Sequence, residues 1–241
     1  MCRLHSIAGP LSVAFAVGIS AQPALAYEVT AVADGGTIKG KVTYQGAVAT
    51  KKIIPSKDAE TCGAIREEPE IIVGADKSVL DAVVYLKKVD KGKAWDKPAK
   101  TPELVNHGCV FEPHVQAVPE GSNIVVVNAD PVMHNTHTFW GKMTIFNVAL
   151  PLKGQRIEKK LTKAGLVKVQ CDTHGWMLGW IHVGENPYYA VTGKDGSFTI
   201  SDVPPSAYTL VAWHEYVGET EVPVTVAAKQ TAQASVELKK K

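Results

Sequence analysis

The most constraining feature of this sequence is the spacing of Cys171, His174 and Met177. It puts a thiol, an imidazole and a thioether at three-residue intervals. Before this segment, Leu166–Cys171 alternates in a way that predicts a strand ending at the cysteine. Trp180–Val183 predicts the next strand. The three side chains are therefore expected on a short loop that a rigid β-scaffold holds in place.

Thiolate, imidazole and thioether groups are donors for a soft transition metal. A zinc site more usually pairs two cysteines with further Cys or His, whereas blue copper sites take two His, one Cys and a weak axial Met. One imidazole is thus missing from the loop. The best candidate is His134, which follows the buried strand predicted over Ile124–Asn128, and His137 is the alternative.

The order and spacing of further motifs resemble those of the cupredoxins, the type 1 blue copper proteins, over residues 80–184. These motifs are Gly108–Pro113, Val118–Gly121, Asn128–Asp130, His134-Asn135 and Cys171-x-x-His174-x-x-Met177. The ligand loop is most similar to that of the amicyanin and plastocyanin-like members. The resemblance implies a Greek-key β-sandwich for this part of the chain.

The resemblance also implies a metal site. It assigns one type 1 copper ion to four side chains, His134, Cys171, His174 and Met177. Asn135 matches the residue that ties the two ligand-bearing loops together by hydrogen bonding, which is the outer support that a metal site needs. Gly175 departs from the pattern, since amicyanin-like loops commonly carry proline there.

The amino terminus has the features of a secretory signal peptide. Arg3 precedes an apolar run over Leu11–Ala21, and Ala24–Ala26 supplies a small-residue cleavage site. No later stretch approaches the ~20 apolar residues that a membrane span requires. We therefore predict a signal peptide over residues 1–26, cleavage near Ala26, and a periplasmic or secreted mature chain without a transmembrane segment.

The charges of the chain nearly cancel, with a formal net charge of +2. The lysines are scattered along the sequence rather than clustered. This pattern argues against nucleic-acid binding by bulk electrostatics.

The cysteine count is consistent with a metal site. Cys62, Cys109 and Cys171 remain after the signal peptide, an odd number in a compartment that favours disulfides. If Cys171 binds copper, the other two are free to pair, although two separate buried thiols are the alternative. Because their neighbours predict exposed turns, where thiols outside the cytoplasm oxidise, we predict a disulfide between Cys62 and Cys109.

The chain remains β-rich beyond the copper segment. The run Asp195–Leu210 resembles carboxypeptidase regulatory-like domains, which are small transthyretin-like sandwiches. Their usual opening strand, Ile-x-Gly-x-Val, is absent beside this run but present at Ile38–Val42. We therefore predict an all-β chain in which the cupredoxin-like domain is inserted into a discontinuous second sandwich.

Domain boundaries follow from these patterns. A β segment and a loop are predicted over residues 27–77, with the loop at Lys51–Glu70. The copper domain is predicted over residues 78–185 and begins with the strand Asp81–Leu86. Residues 186–241 are assigned to the carboxy-terminal sandwich.

The function implied by the resemblance is outer-sphere electron transfer to a redox partner protein, without catalysis. A multicopper oxidase or nitrite reductase would need further His-rich copper sites and usually another cupredoxin domain, and the sequence has neither. The competing class is a copper-binding protein that stores, delivers or senses the ion.

Overall fold

The computed structural model describes residues 27–96 and 98–240. The predicted signal peptide, residues 1–26, lies outside them. The predicted all-β class is confirmed, because strands account for nearly all of the regular structure. Among the described residues, no helix has both the length and the apolar character needed to cross a bilayer.

The described residues form twenty-one strands and one short helix, in the chain order β1 (Glu28–Val29), β2 (Gly36–Tyr44), β3 (Thr50–Ile53), α1 (Ala59–Cys62), β4 (Arg66–Pro69), β5 (Val83–Lys87), β6 (Lys91–Gly92), β7 (Glu103–His107), β8 (Val110–Glu112), β9 (Val115–Pro119), β10 (Asn123–Asn128), β11 (His134–Trp140), β12 (Met143–Leu150), β13 (Arg156–Lys160), β14 (Gly165–Gln170), β15 (Leu178–Gly184), β16 (Tyr189–Val191), β17 (Ser197–Val203), β18 (Ser206–His214), β19 (Gly218–Val226), β20 (Thr231–Gln233) and β21 (Val236–Leu238).

Strands β7 to β15 form two sheets, which we call the first sandwich. One sheet has the strand order β13-β10-β7-β8, and the other has the order β12-β11-β14-β15-β9. Side chains from both sheets fill one buried core, among them Leu104, Ile124, Val167 and Ile181. The predicted alternation along β14 is present, since Val167 and Val169 are buried between partly exposed neighbours.

A second sandwich is built from both ends of the chain. Its sheets have the orders β16-β5-β18-β19 and β17-β2-β20, and β21 also pairs with β2. The core between them includes Ile38 and Val42 from β2, Leu86 from β5 and Leu210 from β18. Strand β2, which carries the Ile-x-Gly-x-Val pattern, therefore lies in the same sandwich as the carboxy-terminal strands.

Strand β5 lies in a different sandwich from the one predicted. The sequence predicts it in the copper domain, which is expected from residue 78, but it pairs with β16 and β18 of the second sandwich. Val84 and Leu86 face the core of that sandwich, whereas Val83 faces the other side and is also buried. A strand buried on both faces is a continuous apolar run, and such a run does not reveal which sheet it joins.

The stretch predicted as a loop at Lys51–Glu70 contains the two-stranded ribbon of β3 and β4 and the helix α1. Lys51 pairs with Glu68 and Lys52 with Glu67, so opposite charges face each other across the ribbon. This cross-strand pairing explains why a polar stretch forms strands here. Residues 54–65, between β3 and β4, are called the cap below.

The two sandwiches meet at a small aromatic interface. Val83, Val115 and Trp213 are buried together there, and the rings of Trp180 and Trp213 pack edge to face with centroids 5.0 Å apart. Glu215 accepts hydrogen bonds from Nε1 of Trp180 and from the ring of His114. Both apolar and polar contacts therefore join the two sandwiches.

Candidate metal centre

The predicted ligands come from two adjacent strands of the five-stranded sheet. His134 begins β11, and Cys171 follows β14 directly. These strands are antiparallel, with His137 paired to Gln170, so the start of β11 lies beside the end of β14. The chain segments 166–171 and 134–140 are thus arranged by the sheet itself.

The donor atoms of three predicted ligands converge. Nδ1 of His134 lies 3.0 Å from Nδ1 of His174, and the Cys171 sulfur lies 3.8 Å from the same His174 atom. Each of these side chains offers a ligand atom within 4.8 Å of the other two. All are buried, and so is Met177, whose backbone N–H donates to the His174 carbonyl oxygen. The arrangement suits a small ion shielded from water.

Each histidine has a carboxylate on its outer nitrogen. Nε2 of His134 lies 2.8 Å from Oδ2 of Asp130, and Nε2 of His174 lies 2.9 Å from Oδ2 of Asp58. A carboxylate accepts a hydrogen bond from Nε2–H and so favours the tautomer with the proton on Nε2. In that tautomer the Nδ1 lone pair is free to bind a metal. Two imidazoles in this tautomer and a thiol are three of the four donors of a blue copper site, and the thioether of the buried Met177 would be the fourth.

Electrostatics keeps the Asp130–His134 pair ready for metal binding. Burial lowers the pKa of His134 and outweighs the opposing effect of Asp130, so the ring stays neutral. Burial also works against ionisation of Asp130, but the backbone N–H groups of Cys109 and Gly108 outweigh it and lower the pKa of this carboxyl. The result is an ionised acceptor beside a neutral donor.

Asn135 links the two ligand-bearing segments. Its side-chain oxygen accepts from the backbone N–H of Asp172 at 2.7 Å and of Thr173 at 3.2 Å. Its own backbone N–H points to the Cys171 sulfur at 3.5 Å, and that of His174 does so at 3.4 Å. Asn135 and the His174 backbone therefore fix the position of the Cys171 sulfur between the two ligand-bearing segments.

The alternative ligand His137 lies outside this group. Its Nδ1 atom is 3.1 Å from the carboxylate of Asp172, and its Nε2 atom is 2.8 Å from Oγ1 of Thr144. Burial raises the pKa of Asp172, but hydrogen bonds from His137, Asn147 and Asn135 outweigh it and lower the pKa overall. His137 therefore supports the loop from outside.

Comparisons with known proteins match only parts of the chain. The family model described as polysaccharide lyase family 4, domain II, matches residues 164–234, less than a third of the chain. No curated protein matches this chain. The carboxypeptidase regulatory-like module stays a prediction, because the matching model has another description.

Several solved structures resemble part of the chain. A purple cupredoxin from Nitrosopumilus maritimus is 25% identical, over 34% of this chain and 99% of its own, with a TM-score of 0.31. Amicyanin from Paracoccus versutus is 20% identical, over 36% of this chain and 85% of its own, with a TM-score of 0.32. A copper-containing nitrite reductase from Thermus scotoductus is 24% identical, over 42% of this chain and 25% of its own, with a TM-score of 0.33.

Cys62 and Cys109 form a disulfide bond in the structure. Cys109 lies in a turn, as predicted, whereas Cys62 ends the helix α1. The predicted exposure of the two cysteines is wrong, since both side chains are buried in the core of the first sandwich. Both sulfurs also lie within 4.8 Å of a ring nitrogen of His174. The disulfide is therefore part of the surroundings of the candidate metal site.

Sequence reasoning missed the two carboxylates that hold the histidines. Asp130 lies four residues before His134, and its position in the Asn128–Asp130 motif is the sequence signal for this carboxylate. Asp58 lies 116 residues before His174, outside the resemblance, and no sequence pattern connects the two.

Proposed function

We propose that the mature chain, after cleavage near Ala26, binds one copper ion and carries single electrons in the periplasm or outside the cell. The observation that supports this most directly is the convergence of two imidazole Nδ1 atoms on one buried thiol. The proposed ligands are His134, Cys171, His174 and Met177. A redox partner protein would supply and accept the electrons.

Bound copper would supply a one-electron couple between the cuprous and cupric states. The side chains of this chain would bind the ion and exclude water, since they are buried and hydrogen-bonded. Ligands held in this way move little when the charge of the ion changes. Fast outer-sphere exchange is the function that such a site serves best.

We infer that the site performs no substrate chemistry. Catalysis at a metal needs an open position, and the four proposed ligands are at most 2% exposed. Among the described residues, every group of His, Cys and acidic side chains with metal-binding geometry includes His134 or His174. A second, separate copper centre, as oxidases need, is not among these groups.

Copper binding is tested by titrating the copper-free protein with cupric ion and recording the visible spectrum. We expect one equivalent to bind and to produce an intense thiolate-to-copper charge-transfer band. Cys171→Ser should abolish the band, whereas His137→Ala should keep it. An unchanged band in Cys171→Ser would rule out the proposed site.

Met177 tests the nature of the site more finely. Met177→Leu should keep the band, because the thioether is only a weak donor to cupric copper. Its loss removes this weak stabilisation of the cupric state and should raise the reduction potential by roughly 60 mV, which corresponds to a tenfold shift in the cuprous-to-cupric affinity ratio. Met133→Leu, at a 46% exposed methionine, is the control. Equal potentials for the two variants would remove Met177 from the ligand set.

Electron carriage is separated from copper storage, delivery or sensing by following one sample through repeated oxidation and reduction. A carrier keeps its ion in both states and exchanges electrons quickly. Rapid loss of cuprous ion to a modest chelator, together with slow electron exchange, would assign the protein to copper handling instead.

A further inference from the structure

A carboxylate from the cap lies against the metal site. Asp58 occupies the N-cap position of α1, with a left-handed φ of 53°. An aspartate at this position commonly accepts a hydrogen bond from its own helix, but the Asp58 side chain makes none. Its Oδ2 atom lies 2.9 Å from Nε2 of His174 instead. The side chain is therefore directed toward the metal site.

The cap is fastened beside the same histidine. Cys62, at the end of α1, is joined by the disulfide to Cys109 in the turn before β8. Nη1 of Arg66 donates to the Cys62 carbonyl oxygen at 3.2 Å, which ties the end of α1 to β4. His174 has no exposed surface. The cap and its disulfide thus lie on the outer side of this ring.

The same disulfide leads to the other histidine. The backbone N–H of Cys109 donates to Oδ2 of Asp130 at 3.0 Å, and that oxygen also faces Nε2 of His134. One covalent link therefore connects the segments that support both imidazoles. Of the two carboxylates, Asp130 is buried and Asp58 is partly exposed, so Asp58 can be replaced with less damage to the core.

We propose that Asp58 is a positioning residue for His174 and that the cap, locked by the Cys62–Cys109 disulfide, is the outer wall of the metal site. The inference rests on the proposed function, since it concerns the same ion. Asp58 holds the proton of His174 on Nε2 and orients the ring. Its negative charge stabilises the cupric form more than the cuprous form, because the cupric site carries one more positive charge.

The role of Asp58 is tested in the copper-loaded, full-length mature protein. Asp58→Ala removes both the hydrogen bond and the charge, whereas Asp58→Asn keeps an acceptor oxygen and tolerates the left-handed backbone. Glu60→Gln, at an exposed acid in the same helix, is the matched control. The readouts are the reduction potential, the visible spectrum and the rate of cuprous transfer to bathocuproine disulfonate.

Asp58→Ala should shift the equilibrium about tenfold toward cuprous copper, equivalent to about 59 mV, and should speed cuprous transfer at least tenfold. Asp58→Asn should shift the potential in the same direction but keep the wild-type spectrum and transfer rate, because its acceptor still orients His174. Glu60→Gln should change none of these. Equal potentials and rates in Asp58→Ala and Glu60→Gln would overturn the positioning role.

The wall is tested with the double variant Cys62→Ser/Cys109→Ser. Urea unfolding of the copper-free protein first establishes that it folds. Cuprous transfer should then be at least tenfold faster than in the wild type, although all four proposed ligands are intact. If the double variant does not fold, reduction of the wild-type disulfide with a phosphine at constant cuprous loading serves instead. Cuprous transfer as slow as in the oxidised wild type would contradict the proposal that the disulfide-locked cap is the outer wall of the metal site.

These outcomes are distinguishable from failure of the proposed function. A wild-type protein that binds no copper, or binds it without the thiolate band, contradicts the proposed function itself. If the wild type shows the band, but its potential and transfer rate do not change when Asp58 is replaced or the disulfide is removed, only this inference is contradicted.

Discussion

At the scale of single residues, His182 combines burial with an unsatisfied polar atom. It lies in β15 and packs against the rings of Tyr85 and Tyr189 from the second sandwich. Its Nδ1 atom has no hydrogen-bond partner among the described residues. Burial lowers the pKa of His182 to about 4, so the fold requires the neutral ring.

This histidine makes stability depend on pH. The unfolded ring has a pKa of about 6.5, so between that value and about 4 the unfolded state takes up a proton that the folded state does not. The contribution of His182 is therefore fully present above pH 6.5 and is lost as the pH falls toward 4. Between pH 7.5 and 5.0 the free energy of unfolding should fall by about 2 kcal/mol through His182 alone.

We predict that His182→Phe removes this part of the pH dependence. Urea unfolding of the copper-free protein at pH 7.5 and 5.0 measures it, because the variant should lose about 2 kcal/mol less than the wild type on acidification. His107→Phe, at an exposed histidine, should behave like the wild type. An equal pH dependence in all three proteins would show that His182 is accessible to protons in the fold.

At the scale of secondary-structure elements, β2 holds the second sandwich together. It pairs antiparallel with β17 and parallel with β20 and β21, so it is the central strand of its sheet. At Gly40 the neighbouring residues leave no space for a side chain. A Cβ atom there would meet the Ala234 carbonyl oxygen at 1.9 Å, a distance that requires the backbone to move.

Gly40→Ala should therefore destabilise the protein by about 2–3 kcal/mol. The measurement is the free energy of unfolding in urea. Gly193→Ala, whose Cβ would meet only the Asp195 carboxylate at 3.5 Å, is the control and should have little effect.

A fragment of residues 186–241 should not fold alone, because it lacks both β2 and β5, and a stable fragment would contradict this account.

At the scale of the whole molecule, the two sandwiches share a buried contact around Trp213. Its ring packs on Trp180 of the first sandwich and beside Val83 and Val115. The chain also crosses between the sandwiches twice, since the first is inserted between β5 and β16 of the second. Unfolding of one sandwich should therefore destabilise the other.

Trp213→Ala should cost about 3 kcal/mol and separate the two unfolding events. In the copper-loaded wild type, loss of copper colour and loss of far-ultraviolet circular dichroism should coincide as urea is raised. In the variant, the dichroism should begin to fall while the colour persists. Trp140→Ala, at a 41% exposed tryptophan, should keep the two transitions together. Coincident transitions in Trp213→Ala would show that this contact does not couple the sandwiches.

The sequence by itself determined the local features of this protein. Alternation predicted the strands before and after the ligand loop, because period-two burial is a local property. The pattern at Ile38–Val42, together with the run at Asp195–Leu210, predicted a sandwich built from both ends of the chain. Donor chemistry at three-residue spacing identified Cys171, His174 and Met177 as candidate ligands, and the missing imidazole directed attention to His134.

Only the tertiary structure decided what lies around those ligands and which sheet each apolar strand joins. Strand β5 is apolar on both faces, and such a run fits either sandwich equally well until its partners are known. Asp58 reaches His174 across 116 residues of chain, through a cap held by a disulfide whose sulfurs are buried. A contact of this separation depends on how the sheets pack and leaves no periodic trace in the sequence, because periodicity records burial and not partners.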